Sequence, residues 1–156
     1  MAFQLVGASV AIITTNLDGE VSGLTVTSFC SMSLEPPTML VCVNQKAGAH
    51  DKICNVGWFG INVLRPGQEA IANRFSGTTG VRGHERFTGG DWSLENQRVP
   101  MLLGVAAFFE CEMIRHISCG THTVFIGRIN RVFRNSDKEA LLYCNRKYRA
   151  LPVTDR

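Results

Sequence analysis

The pattern of apolar and polar positions in this chain is mostly that of strands. Residues 8–15 (Ala-Ser-Val-Ala-Ile-Ile-Thr-Thr) are rich in β-branched side chains, and residues 16–19 (Asn-Leu-Asp-Gly) predict the turn of a hairpin. Two more runs, 24–29 and 39–44, follow. In the first, Leu24, Val26 and Ser28 point one way and Thr25, Thr27 and Phe29 the other. Pro36 and Pro37 lack N–H donors, which assigns them, with Ser31 and Ser33, to the connection between the two runs. Ala49 and Ile53, four apart, predict one short helix within 46–54. Residues 58–64 read as a strand, Pro66-Gly67 breaks it, and 68–75 read as a helix with Ile71 and Phe75 on one face. Residues 76–96 are rich in glycine and polar side chains, predicting a long surface loop with some local order that acts as a lid or faces a substrate. The second half holds long strand-like runs at 105–117 and 121–133, with Gly120 as the turn point, and a shorter one at 140–144. Many strands with few, short helices favour a mainly β antiparallel barrel over a doubly wound sheet.

Length and composition narrow the class. The 156 residues fit a single domain, 1–156, and 45% hydrophobic with 19% charged residues is ordinary for a packed globular chain. The net charge of +3 comes from scattered basic residues, so no stripe for nucleic acid is expected. The apolar start, Met1 to Ile13, has no basic leader region and is too short to span a membrane. The six cysteines sit mostly in apolar runs, which reads as free thiols in a reducing cytoplasm, not as a disulfide framework.

Candidate chemistry is concentrated in residues 23–44. Thr25, Thr27, Ser28, Ser31 and Ser33 present hydroxyls along an otherwise apolar stretch. Apolar walls with a few placed donors suit a flat cofactor carrying a phosphate, and a half-exposed strand facing water gives the same pattern. The first turn of the helix in 46–54 lies just past a strand end, where free N–H groups can bind an anion. No Gly-x-Gly-x-x-Gly follows a strand, and neither a Walker A sequence nor a Gly-x-Ser-x-Gly elbow occurs. His116-x-x-Cys119-x-x-His122 has ligand types for zinc, but an extended strand would hold the two histidines roughly 20 Å apart. Only a tight turn at Gly120 could bring them together, and no metal site is expected.

Residues 23–37, followed by Met39-Leu-Val-Cys-Val-Asn44, closely resemble the signature of the short-chain flavin reductases, the reductase components of two-component flavin monooxygenases. The similarity continues through Phe59-Gly-Ile-Asn-Val-Leu64, Ala72-Asn-Arg-Phe75, Glu85-Arg-Phe87, His122-Thr-Val-Phe-Ile-Gly127 and Leu142-Tyr-Cys-Asn-Arg-Lys-Tyr148, in order. The resemblance implies a split antiparallel β-barrel of the FMN-binding type, working as a homodimer with flavin near the interface. Its members usually carry a longer amphipathic helix before the first strand, so a truncated or partly ordered version of such a chain is expected here. The implied activity is hydride transfer from NADH or NADPH to FMN or FAD, with reduced flavin diffusing to a partner monooxygenase. Two alternatives stay open: the same fold reducing another acceptor such as a cobalt corrinoid, and a non-enzymatic module that stores or senses flavin.

The resemblance also implies roles. Thr25, Val26, Thr27 and Ser28 would line the isoalloxazine ring, Ser31 and Ser33 would hold the phosphate, and Cys42, Val43 and Asn44 would contact the ring edge or ribityl chain. Lys46 and His50 would stand on the next turn, and Phe75 below the ring. Arg146 and Tyr148 would approach flavin and nicotinamide, and His122 would position the nicotinamide for transfer. His122 shares its strand face with Val124 and Ile126, a face expected to look into the barrel side carrying the flavin. On residue type alone, His122 reads first as a surface or hydrogen-bonded histidine, and the tail as an ordinary solvated strand.

Overall fold

The computed structural model describes residues 1–136 and 139–151. In chain order the elements are β1 (Ala8–Ser9), β2 (Ala11–Leu17), β3 (Glu20–Val26), β4 (Phe29–Leu34), β5 (Pro37–Asn44), α1 (Gly48–Val56), β6 (Trp58–Val63) and α2 (Glu69–Ser76). A 3₁₀ turn (Gly83–Gly89) follows, then β7 (Trp92–Ser93), β8 (Met101–Leu102), β9 (Ala107–Cys119), β10 (His122–Arg134), β11 (Leu141–Cys144) and β12 (Lys147–Ala150).

Seven strands form one antiparallel sheet in the order β3-β2-β6-β9-β10-β5-β4. Its two edges, β3 and β4, are consecutive in the chain and are separated only by Thr27 and Ser28. So short a link forces the sheet to curl until its edges nearly meet. The edges are bridged by the chain and not by a ladder, which makes the barrel a split one; the Cys42 N–H closes the corner by donating to the Ser28 carbonyl at 2.9 Å. A second sheet, β1-β11-β12, stands alongside. Val10, between β1 and β2, joins the two sheets: its N–H donates to Leu141 O and its carbonyl accepts from Leu64 N, both at 2.9 Å.

The continuous apolar run of β2 is explained by burial on both faces. Ala11 and Ile13 enter the lumen with Val41, Val43, Phe59 and Phe125, while Val10 and Ile12 face a second cluster under α2 with Phe75, Phe87 and Phe108. Helix α1 plugs the lumen with Ala49 and Ile53 and ends at Gly57, whose left-handed φ of 72° suits glycine. Gly127 of β10 admits the ring of Phe59: a Cβ there would lie 2.6 Å from Phe59 Cζ.

Several expectations change. Residues 24–29 are not one strand, because β3 ends at Val26 and β4 begins at Phe29. The stretch holding Ser31 and Ser33, read as a connection, is β4 itself, with Ser31 opposite Met39 and Ser33 opposite Thr38. Only Pro36 lies in the turn. Pro37 opens β5, a strand position that tolerates a missing N–H. The strand expected over 8–15 is cut at Val10, where the backbone leaves one sheet for the other. The loop over 76–96 does carry the local order expected of it, in the 3₁₀ turn and β7, and is pinned to α2 by Arg74, which donates to Arg86 O at 3.0 Å and Glu85 O at 2.7 Å.

Candidate functional site

Three adjoining clefts follow the outside of the barrel where β3 passes into β4. The middle one, 220 Å³, is lined by Thr25, Val26, Thr27, Asn73, Tyr143 and Tyr148. Thr25 Oγ1 donates to Ala72 O at 2.6 Å, and Tyr148 Oη donates to Asn73 Oδ1 at 2.8 Å. Burial pushes the Tyr148 phenol up, with Tyr143 and Glu69 adding to it, so the hydroxyl stays protonated and remains a donor. The Tyr143 and Tyr148 rings are 5.1 Å apart, as befits directly opposed residues of β11 and β12.

Thr27 also borders the second cleft, 530 Å³, which Ser28, Phe29, Cys30, Leu40 and Cys42 line. These side chains lie outside the barrel: Met39, Val41 and Val43 are buried on the inner face of β5, and Leu40 and Cys42 alternate with them. Burial pushes the Cys42 thiol up, and the neighbouring Cys30 and Cys119 push the same way, so it is a neutral thiol.

The third cleft, 370 Å³, is basic. It adjoins the middle one at the end of α2, where Gly77 lines it and the flanking Ser76 and Thr78 line the other. Lys46, Arg82 and Arg86 enter it beside Ser22 and Gly48. Arg86 is committed, donating to Val81 O at 3.0 Å and Gly23 O at 3.2 Å. The Lys46 ammonium and Arg82 guanidinium are exposed and have no hydrogen-bond or ion-pair partner among the described residues. Gly48 opens α1, and no side chain caps that helix, so its first N–H groups stay available to an anion beside two free cations.

The structure thus brings Thr25, Val26, Thr27 and Tyr148 together, joins Ser28 and Cys42 to them through Thr27, and sets Lys46 at the far end. Val43 and Phe75 are core residues, at 0% and 1% exposure, and line none of the three clefts. Ser31 and Ser33 lie on the outermost strand, with Ser33 Oγ accepting from the Glu35 N–H at 3.2 Å. Arg146, in the β11–β12 turn, reaches Gln4, whose amide oxygen accepts from its Nε at 3.0 Å. His50 lies at the base of α1, with Nε2 2.9 Å from Thr123 Oγ1 and Nδ1 2.7 Å from Asp51 Oδ1. Asn44 and His122 pair across β5 and β10. The face His122 shares with Val124 and Ile126 points out of the barrel, because Thr123 and Phe125 fill the inward positions. That outer face also carries Cys42, the diagonal neighbour of His122, so the imidazole stands one row beyond the second cleft.

Tyr143, Cys30, Arg82 and Arg86 were not singled out in the sequence. Tyr143 had a usable signal: a two-residue turn at Asn145-Arg146 sets it opposite Tyr148. Around Gly120 the turn is as tight as the zinc reading required, placing Cys119 opposite His122. His116, however, sits opposite Phe125 further along, on the other side of its strand from Cys119. Among the described residues no three His, Cys, Asp or Glu side chains converge on a metal position.

Comparison with known proteins identifies the family and the fold. Residues 3–152 match the flavin reductase like domain. The FMN reductase (NADH) RutF 2 of Methylorubrum extorquens (strain PA1) is 37% identical over 154 residues, covering 99% of this chain and 88% of that protein. The NADH:FAD oxidoreductase SgcE6 of Streptomyces globisporus C-1027, solved with NAD and FAD fragments, superposes with a TM-score of 0.88 at 30% identity, over 97% of this chain and 89% of the other. BorF, the flavin reductase component of a bacterial two-component tryptophan halogenase, gives 0.88 at 31% identity over 98% and 96%. A mainly β split barrel, a groove of hydroxyls ending in free cations, and a family match over nearly the whole chain lead to one statement: this chain belongs to the flavin reductase-like family.

Proposed function

We propose that this chain is an NADH-dependent flavin reductase, an oxidoreductase that receives FMN or FAD in the groove described above. The observation carrying this reading is the joining of a hydroxyl- and tyrosine-lined cleft to a basic one that holds two uncommitted cations. The donor set fits a flavin nucleotide. Apolar walls and a few hydroxyls suit the ring and ribityl chain, and Lys46, Arg82 and the uncapped start of α1 suit the phosphate.

The flavin, when bound, supplies a ring able to take up hydride, and the reduced nicotinamide supplies the hydride. The chain's own residues bind and orient. Thr27, in the short link, has little freedom because both of its neighbouring strands are fixed, so it holds a ligand edge without a large ordering cost. Tyr148 stays protonated at neutral pH and gives its one O–H to Asn73, so its fixed oxygen faces the cleft as a hydrogen-bond acceptor. His122 is the residue we assign to the nicotinamide: a ring N–H there can bond its carboxamide while the adjoining cleft holds the flavin, an alignment role and not a proton transfer.

A second copy of the chain covers this groove in the working enzyme. Phe3 is 81% and Val6 70% exposed although both border the second cleft, and Met32 and Leu34 stand out from β4 beside it. The reading places the dimer in the cytoplasm, in keeping with six free thiols, and passes reduced flavin to a separate monooxygenase. Steady-state oxidation of NADH with FMN, FAD or no flavin tests the activity. Turnover requiring added flavin is expected, and flavin binding without NADH oxidation would leave only the storage or sensing module.

A further inference from the structure

Beside His122, where β10 meets the start of α1, runs a chain of side chains that line none of the three clefts. Asp51 Oδ1 lies 2.7 Å from His50 Nδ1, and His50 Nε2 lies 2.9 Å from Thr123 Oγ1. Gln45 Nε2 donates to Thr123 Oγ1 at 3.4 Å and to the His122 carbonyl at 3.3 Å. Asp51 is exposed, His50 half-buried and Thr123 only 1% exposed, so the chain runs from the surface of α1 into the barrel wall.

Donors and acceptors match in one arrangement. A carboxylate only accepts, so the neutral His50 ring carries its proton on Nδ1 and gives it to Asp51. Nε2 is then an acceptor and takes the Thr123 O–H, whose oxygen accepts from Gln45. The His50 ring also packs on Phe125, with 5.5 Å between centroids, which limits its freedom to turn. An Asp–His–Thr series can activate a nucleophile, but a hydroxyl this buried has no access to a substrate. What the chain can do is hold position.

Position matters because His122 is the first residue of β10, directly after the turn at Gly120, and strand ends open more readily than their middles. Thr123, the next residue, is tied to α1 through His50, and the His122 carbonyl is tied to Gln45 in the link from β5 to α1. The imidazole has its own guide. Thr121 Oγ1 lies 2.9 Å from its Nδ1, and a hydroxyl donating there leaves the ring proton on Nε2, free for a ligand.

We infer that Asp51, His50, Thr123 and Gln45 are positioning residues that hold His122 in place for the nicotinamide. This rests on the reading of His122 given above and adds the residues that act through it.

Two readouts test it. NMR of the flavin-free chain should find the His122 ring in the tautomer protonated on Nε2, and His50→Phe, which keeps a ring against Phe125, should average the two tautomers. In rapid mixing with NADH and FMN, His50→Phe and Thr123→Val should each slow flavin reduction about tenfold, with the FMN Kd changed by less than about twofold and reduction by dithionite normal. Thr123→Ser, which keeps the hydroxyl, should recover most of the rate. On a His122→Ala background neither substitution should slow reduction further, because the residue they act through is gone. Should a buried substitution melt the chain, Gln45→Met at an exposed position removes two of the contacts and should slow reduction about threefold. A His122 tautomer unmoved in folded His50→Phe, a loss of rate that persists without His122, a normal NADH rate in His122→Ala itself, or an FMN Kd that rises in step with the loss of rate would overturn the inference. A wild-type chain that does not oxidise NADH would instead end the reductase reading, and the tautomer measurement would still decide whether these residues hold His122.

Discussion

Removing both free cations of the basic cleft, with Lys46→Ala and Arg82→Ala together, should separate phosphate recognition from ring recognition. Neither side chain has a partner among the described residues, so the substitutions break no bond described there and should leave stability within about 0.5 kcal/mol. A charge-assisted hydrogen bond contributes about 1.5–3 kcal/mol when sheltered, and an exposed ion pair only about 0.2–1. Both residues are exposed, yet they border a cleft whose floor is the glycine-rich turn and the start of α1, which puts them between those limits. About 1 kcal/mol each, or about 2 kcal/mol together, predicts that the Kd for FMN rises about 30-fold. Riboflavin, which has no phosphate, should bind as before. Flavin fluorescence titration at low and high salt measures both. The wild-type preference for FMN over riboflavin should narrow as salt rises, and the variant's should hardly change. Equal losses for FMN and riboflavin, or an FMN loss smaller than threefold, would refute the assignment. If Ser31→Ala/Ser33→Ala instead produced the FMN-selective loss, the phosphate would belong on β4.

Four further outcomes are expected. His122→Ala should slow flavin reduction by NADH in rapid mixing while reduction by dithionite stays normal; an unchanged NADH rate would return His122 to a surface role. Gly127→Ala should lower stability by about 1–3 kcal/mol in urea melts, since its Cβ would sit 2.6 Å from Phe59 Cζ and 2.7 Å from Cys111 Cβ, and a neutral result would mean the lumen can relax. Sedimentation at micromolar concentration should give twice the 17.2 kDa of one chain, and a monomer active in flavin reduction would remove the dimer. Burial pushes the Cys111 thiol up to about 12 from the ordinary 9.0. The folded chain therefore keeps a proton that the unfolded chain releases, so this group's contribution is intact below pH 9.0 and is lost as pH rises toward about 12. Native labelling at pH 8 should modify the exposed Cys119 and spare Cys111; rapid labelling of Cys111 would contradict its burial.

The readability of the sequence differed by element for physical reasons. The helices were legible because Ala49 with Ile53, and Ile71 with Phe75, keep helical spacing and end at glycines. The long β9–β10 hairpin was legible because its apolar runs are long and Gly120 marks the turn. β4 was hidden: it is an edge strand on which Ser31 is exposed and Ser33 half-buried, so it lacks a clean buried face, and the prolines after it suggested a longer connection. Residues of the family signature came together where they lie near the β3–β4 link, as Thr25, Thr27 and Ser28 do. The basic cleft was illegible because Lys46 and Arg82 are far apart in the chain and meet only when the 3₁₀ turn packs against β3. Charge carries no periodicity that would announce such a meeting.

The link of Thr27 and Ser28 also makes this barrel a loop of rope tied with a very short knot. A cut anywhere else leaves the sheet curled, whereas a chain reopened between these two residues, its original ends rejoined, would free β3 and β4 to swing apart. Two unpaired edges would then face solvent, each a template for a neighbouring molecule. Evolution could lengthen the 76–96 segment without disturbing the barrel, but every residue added to the link would loosen the wall against which a ligand rests. The place where the fold tolerates least slack is thus also the place where the groove begins.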